Sequence, residues 1–572
     1  MTPPSIEATY QQRRDASAAA EQRYALRDRL LTHSRMVAFL VVFTLFGLGC
    51  LSDQGRSWYV AGGLAAGGFL ALVTYHEHIL RELTRHRLLR QINAQAIARL
   101  HRDWTALPET PVEVPREHRA TALDLDLFGH ASIFHFLCSA KTPAGIRVLR
   151  DWLLEPAAPD EIRRRQAAVV ELAPCLQLRQ TLILEGLLLA DRGNTAARFL
   201  EWAEDSPWLA ARPWLLWLCR STPVALVVTL GLIACGMLPL EQGLLAAFLI
   251  LAWNFLVCVF FTGRVHDIFS MVNSRASEVR RYLNMFELMV SMPDSTSELD
   301  SIKREATTHG GGVLLRLRQL HRISSFSNIH HSALLFIFIY LPLQFVFLVD
   351  FHVLNLLEAW QQRYGKYVGE WFLALGKFEA LSSLATLVYD HPDWTLPEID
   401  AAADRFQACQ LGHPLLPEGM RVANDVELGP AGSVLLVTGS NMSGKSTLLR
   451  AIGVNAALAQ AGAPVCAERL VMPPASLATS MRIRDSLEEG VSFFMAELMR
   501  LKQVVDLARD APRRHHRTLL YLLDEILLGT NSRERQIAVV RVLQVLLQHG
   551  AIGAVSTHDL DLATRDVNHS NR

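Results

Sequence analysis

The chain has 572 residues, half of them hydrophobic, with 56 basic and 56 acidic side chains. That length provides for two or three domains and a large core, and the charge balance excludes a protein whose overall field draws in nucleic acid. The eight Cys are scattered without a C-x-x-C pair, which argues against a disulfide framework and against zinc and suits a reducing compartment.

Residues 1–104 read as a helical stalk carrying an apolar hairpin. Residues 6 to 34 are charged, with apolar positions at helical spacing. Met36 to Leu51 is then apolar throughout, Ser52 to Ser57 is a polar turn, and Trp58 to Tyr75 is apolar again. The spans at 36–51 and 58–75 reach roughly 24 to 27 Å at 1.5 Å per residue, near the hydrocarbon thickness of a bilayer. A cleaved signal peptide is disfavoured, because a long charged segment precedes the first run and a second run answers it at once. Gly63 and Gly67 form a small-xxx-small step, which fits close helix packing or simply the Ala/Gly-rich composition of the span. From His76 to Leu100, Ile79, Leu83, Leu89, Ile92 and Ile97 fall near one stripe, which fits a stalk or a core packing face equally. Arg13, Arg14, Arg23, Arg27, Arg29 and Arg35 before the hairpin, and Arg81, Arg85, Arg87 and Arg90 after it, put both of its ends on the cytoplasmic side.

Pro108, Pro111 and Pro115 break the periodicity and mark 105–119 as a linker. Residues 120–400 read as a helical core interrupted by a second apolar hairpin, 223–240 and 243–261, turning at Glu241-Gln242 and flanked by Arg220 and Arg264. Asn254 lies deep in the fourth span, where interhelical hydrogen bonding accounts for it better than transport. A fifth apolar run, Ala333 to Val349, contains Pro342 and Gln344; a crossing there would carry the C-terminal domain away from cytoplasmic ATP, so it is expected as a buried or membrane-surface core helix.

Residues 401–572 carry the chemistry. Val434 to Val437 is an apolar strand, Gly439-Ser440-Asn441-Met442-Ser443-Gly444-Lys445-Ser446 a full phosphate-binding loop, and Lys445 to Leu458 the helix after it. Gly439 and Gly444 let backbone N–H groups turn around phosphates, Lys445 reaches the β- and γ-phosphates, and Ser446 holds Mg²⁺. The strand Leu519 to Leu523 ends in Asp524-Glu525, one carboxylate for Mg²⁺ and one to orient and deprotonate water. A third strand, Ala551 to Val555, leads to Ser556-Thr557-His558, where His558 meets the γ-phosphate. The cluster Arg513, Arg514, His515, His516, Arg517 reads as a solvated loop in preference to a nucleic-acid patch.

The run from Thr438 through Thr447, with Asn441-Met442 inside the loop, resembles the MutS mismatch-repair ATPases. Gly412-His413-Pro414 with Ala423-Asn424-Asp425 is similar to the family's entry segment near the nucleotide base, Gly490 to Glu497 to its signature run, and Gly529 to Ser532 to its dimer-contact loop. Ala122 to Phe128, Thr142 to Leu153 and Pro156 to Leu172 resemble the start of its core domain. The resemblance implies a homodimer with two composite ATP sites, each completed by Ser492 of the other subunit, with ATP and Mg²⁺ bound. It implies DNA as a further partner. The family's Phe-x-Glu mismatch reader has no counterpart, since Phe286-Glu287 and Phe378-Glu379 lack the spacing, and the family's further C-terminal dimer element is not found before Arg572. An ordinary ABC exporter is disfavoured, because Ser492-Phe493-Phe494-Met495 stands where its glycine-rich signature belongs.

The expected protein is therefore multidomain. An all-α core with transmembrane helical hairpins carries a C-terminal α/β P-loop ATPase domain of the ABC/MutS type. It sits as a multi-pass protein in the inner membrane, with the ATPase and both termini cytoplasmic. The function expected is a membrane-anchored ATPase coupled to mismatched or structured DNA, the alternative being a mechanochemical membrane ATPase that leaves DNA aside. The second hairpin takes the place of the DNA clamp in the MutS core.

Overall fold

The computed structural model describes residues 5–52, 55–190, 195–273, 276–293, 296–308, 311–325, 340–440, 443–482, 493–515, 517–527 and 532–557. Two long helices, α1 (Ile6–Leu51) and α2 (Gly55–His101), form an antiparallel hairpin, each roughly 70 Å long. Ser5 caps α1, its hydroxyl accepting the Ala8 N–H at 3.2 Å. The apolar runs at 36–51 and 58–75 are therefore parts of continuous helices that extend well past them. After α2, the chain lies against the body instead of hanging free: Leu107 is buried and its carbonyl lies 3.2 Å from His135 Nε2.

The helical core follows as α3 (Arg119–Asp124), α4 (Ile133–Leu137), α5 (Pro143–Leu154), α6 (Pro159–Leu172), α7 (Leu176–Ala190), α8 (Thr195–Glu204), α9 (Pro213–Ala234), α10 (Leu240–Asn273), α11 (Ala276–Val290), α12 (Ser297–Thr308), α13 (Val313–Ser325), α14 (Leu341–Phe347) and α15 (Val349–Asp390). Starts such as Thr142-Pro143 follow capping chemistry, with Thr142 accepting the Gly145 N–H and proline at the first helical position. The 42-residue α15 is the strut of the core, buried on nearly every side. Its acids serve the chain around it: Glu358 accepts the Leu209 and Ala210 N–H groups, both at 2.7 Å, and Glu379 accepts those of Lys141 and Thr142.

The second hairpin corrects the sequence reading. α9 begins at Pro213 and runs through Pro223, and the turn falls at 235–239, ahead of Glu241-Gln242. Gly236, with φ +69°, supplies the left-handed residue that reverses the chain, and Glu241 belongs to the first turn of α10, where a carboxylate is favoured. In the fifth apolar run, 333–339 lie outside the described residues. From Leu341 the chain is α14, where Pro342 starts the helix and Gln344 accepts the Asp350 N–H at 3.0 Å. Asn254 joins α10 to α14, donating to the Phe345 carbonyl at 2.8 Å.

The C-terminal α/β domain has β1 (Glu398–Ile399), β2 (Phe406–Leu411), β3 (Asn424–Leu428), β4 (Val434–Thr438), α16 (Lys445–Ala461), β5 (Arg469–Met472), β6 (Ala475–Ser480), α17 (Phe493–His515), β7 (Thr518–Asp524), α18 (Ser532–Gln548) and β8 (Ile552–Thr557). One sheet runs β1-β5-β2-β3; the other, β4-β8-β7-β6, is parallel throughout. Alternation along β7 divides the packing: Leu520 and Leu522 join the large core that includes α16 and the helical body, and Leu519, Tyr521 and Leu523 join a second core under α17 and α18. The helical core and α16 thus share one apolar interior.

Residues 513–515 form the last turn of α17, not a loop, and Arg517 donates to the Pro156 carbonyl at 2.6 Å. That guanidinium fastens the start of β7 to the helical core instead of facing solvent or nucleic acid.

Candidate functional site

The parallel sheet delivers its strand ends to one edge, the place where open α/β sheets bind ligands. β8 lies between β4 and β7, so the phosphate loop and the acid pair approach from either side of Ser556-Thr557. Gly439 (φ +156°) and Gly444 (φ +87°) take backbone conformations that side chains disfavour, and Gly444 caps the N-terminus of α16. A Cβ at Gly439 would stand 2.9 Å from Ser443 Oγ. The loop is closed by the Ser443 N–H donating to the Ser440 carbonyl at 3.3 Å.

Lys445 is buried, and its ammonium donates to the Gly439 and Ser440 carbonyls at 2.7 and 3.2 Å while lying 3.9 Å from Glu525 Oε1. The structure thus brings Lys445 and Glu525 together although 80 positions separate them in sequence. Ser446 is half-buried and Thr447 exposed on the first turn of α16. Asp524 ends β7 directly opposite Ser556. Asn441, Met442, Ser492 and His558 lie outside the described residues.

Two residues that the sequence reading passed over organise the acids. Ser556 donates its hydroxyl to Asp524 Oδ1, and its carbonyl and hydroxyl oxygens each accept the Glu525 N–H at 3.2 Å. Glu497, buried on α17, accepts the Leu527 N–H, and burial raises its pKa against that bond. Between these anchors Glu525 (φ +47°) and Leu527 (φ +61°) sit in the left-handed region, a strain that surrounding structure must hold. Neither carries a sequence signal for this role beyond the place of Glu497 in the signature run, because Ser556 meets the acids only through strand register.

The segment Leu123–Leu127 ties this domain to the helical core. Asp124 is buried and accepts Thr479 Oγ1 at 2.7 Å and the N–H groups of Met481 and Arg482 at 3.2 and 2.9 Å, with Arg500 of α17 at 3.3 Å. Asp126 pairs with Arg482, and with Arg450 on α16 at 3.5 Å. Leu125 packs where Gly453 of α16 leaves no room for a Cβ. His413, buried beside Arg450, is held neutral: burial first and that cation second bring its pKa to about 4.

Asp524, Glu525 and the Ser446 hydroxyl are all oxygen donors, the set a hard divalent cation such as Mg²⁺ takes. Among the described residues no group of three or more His, Cys, Asp or Glu is placed to hold a metal ion.

Residues 435–571 match the family described as MutS domain V. The C-terminal α/β domain is thus similar to that family's domain V. The chain is similar to an endonuclease MutS2 of Thermus thermophilus, 31% identical over 159 residues that cover 28% of this chain and 20% of the relative. It is similar to the DNA mismatch repair protein MutS of Geobacillus kaustophilus, 32% identical over 192 residues, 32% of this chain and 20% of the relative. A MutS2 of Thermomicrobium roseum is 36% identical over 149 residues, 26% and 18% of the two chains. The chain thus spans about a fifth of the length of these curated relatives. The MutS match contains both Lys445 and the acid pair.

Proposed function

We propose that the protein is a membrane-anchored MutS-type ATPase that binds and hydrolyses ATP at a composite homodimer site and acts on mismatched or structured DNA. The observation that carries the ATPase reading is the convergence of Lys445 with Glu525 at the ends of parallel strands inside the MutS match.

Lys445 exchanges the Gly439 and Ser440 carbonyls for β- and γ-phosphate oxygens, and the α16 N-terminus adds its partial positive charge. Ser446 and Asp524 would hold Mg²⁺, which when bound would neutralise charge building on the phosphates. Glu525 orients water and takes its proton as the water oxygen bonds to the γ-phosphorus and the bond to ADP breaks. The strained turn at Glu525, fixed by Ser556 and by Glu497 through Leu527, keeps that carboxylate in place. His558 meets the γ-phosphate and Ser492 completes the partner's site.

Anchoring rests on α1, α2, α9 and α10. Their most apolar stretches are only 6%, 6%, 17% and 22% buried, and such surface on a bilayer-length helix suits lipid. The flanking arginines support a topology with the ATPase and both termini on the cytoplasmic face of the inner membrane. The same exposed helices, with the equal count of acidic and basic residues, favour a second reading in which the engine's load is the membrane and DNA is not bound.

The full chain in lipid vesicles tests both readings. Glu525→Ala is expected to lower phosphate release by about 10²–10⁴-fold with ATP still bound, as loss of a general base does. Lys445→Ala is expected to weaken ATP binding itself. Homoduplex, heteroduplex and branched DNA are then added at two salt concentrations. Stimulation that fades with salt supports the DNA reading, and neither binding nor stimulation at low salt leaves the membrane load.

A further inference from the structure

The N-terminal hairpin stands on the ATPase domain as well as on the helical core, and its foot is built from buried polar groups. Tyr10 of α1 is buried and donates its hydroxyl to Asp390 Oδ1 at 2.7 Å; Arg99 of α2 lies 3.6 Å from the other oxygen. Asp390 is the last residue of the strut α15, and five residues on, Thr395 exchanges backbone hydrogen bonds with Val465 of the α/β domain. Both helices of the hairpin therefore close on the point where the core passes into the ATPase.

Just past α2, Arg102 reaches further. Its backbone is left-handed (φ +56°), a conformation a non-glycine residue keeps only when its surroundings impose it. Its guanidinium lies 4.6 Å over the Phe136 ring and donates to the Leu100 carbonyl at 2.9 Å and the Pro414 carbonyl at 3.1 Å. Burial first, and Arg421 second, pull its pKa to about 10, so it stays charged at neutral pH. Pro414 follows Gly412, whose carbonyl accepts Asn455 Nδ2 at 2.9 Å and whose N–H donates to the Cys466 carbonyl at 2.8 Å. Asn455 sits on α16, nearly three turns after Lys445. An unbroken run of buried contacts thus leads from the hairpin through Arg102, Pro414, Gly412 and Asn455 to the phosphate-loop helix. A foot serving only as an anchor needs apolar contact; a buried cation aimed at one carbonyl of another domain is costly and fixes a geometry.

We propose that this foot is a coupling joint, with Arg102 a positioning residue through which the nucleotide state of α16 is transmitted to the N-terminal hairpin. The proposal rests on the reading that residues 439–446 bind ATP. α2 is one continuous helix of 47 residues, so reorientation at the foot is carried along its whole length. Coupling is reciprocal, and a load on the hairpin alters ATP affinity by the same factor.

The test uses the full chain in vesicles with Glu525→Ala, so that added ATP persists. Amide hydrogen exchange over residues 99–107 and ATP affinity are measured together. ATP is expected to change exchange at the foot by about fivefold or more, the lower end of typical coupling. Arg102→Ala is expected to abolish that response while ATP still binds, and Arg102→Lys to restore it in part. Tyr10→Phe, which removes only a hydroxyl, is expected to weaken the response and serves if Arg102→Ala does not fold. ATP binding with a silent foot, or an undiminished response in both Arg102→Ala and Tyr10→Phe, overturns the joint alone. Failure of the parent chain to bind ATP overturns the phosphate-loop reading and the joint with it.

Discussion

Two helices, α10 and α15, are both long and apolar enough to cross a membrane, yet 22% of the apolar window of α10 is buried against 83% of that of α15. Their polar residues account for the difference. α15 carries Glu358, Gln361, Glu379 and Asp390, and each finds a partner on a neighbouring segment, among them the N–H groups of Leu209 and Lys141 and the Trp202 carbonyl. Such groups need protein around them, because lipid supplies neither donor nor acceptor. α10, between Leu240 and Phe261, has only Glu241 and Gln242 at its start and Asn254 within, and Phe248, Leu249 and Phe260 are exposed. Length and hydropathy alone do not separate a buried strut from an exposed apolar helix; the partners of the polar residues do.

The strongest test of this contrast is a matched pair of truncations. Leu375→Ala in α15 is expected to cost about 2–5 kcal/mol, because it opens a cavity in a packed interior, seen as a fall in the denaturation midpoint. Leu249→Ala in α10 is expected to stay within about 0.5 kcal/mol. Equal losses would break the comparison and place α10 against protein.

Acid should separate the two regions next. Burial brings the pKa of His391 to about 3 and of His413 to about 4. A free imidazole titrates near about 6.5, so between there and pH 4 the unfolded chain binds more protons than the folded one. Stability contributed by these groups is complete above that window and is lost as pH falls through it. For His413 the loss by pH 4 is about 3 kcal/mol. Near-ultraviolet circular dichroism of the body should fade in this range while the far-ultraviolet signal of the hairpins persists, and His413→Asn should flatten the slope. A smaller loss than either the Leu375→Ala cavity or the His413 titration is expected for Asn254→Leu, which frees the Phe345 carbonyl and costs about 0.6–1.7 kcal/mol if that pair lies in lipid. No change in midpoint would mean that α14 is held to α10 by packing alone.

Much of the C-terminal domain was legible because its pattern is local. A strand, two glycines and a lysine in sequence already specify a phosphate loop, and an apolar strand ending in Asp524-Glu525 specifies where carboxylates emerge. The hairpin turn at 235–239 was misplaced because an apolar run gives no punctuation except its charges, and Gly236 and Pro239 are easily read as span residues. Ser556 and Glu497 were not legible as site residues, since each acts through a backbone N–H that only sheet register and helix packing bring near.

The sequence by itself determined the elements: long apolar helices, a helical core, and a loop whose glycines have no other economical use. These follow from periodicity and from backbone freedom, which are properties of neighbouring residues. Tertiary structure alone decided that α15 is a strut, that Lys445 meets Glu525, and that Arg102 carries the foot of the hairpin to Pro414. Each of those depends on groups distant in sequence becoming desolvated together, and burial is a property of the whole fold.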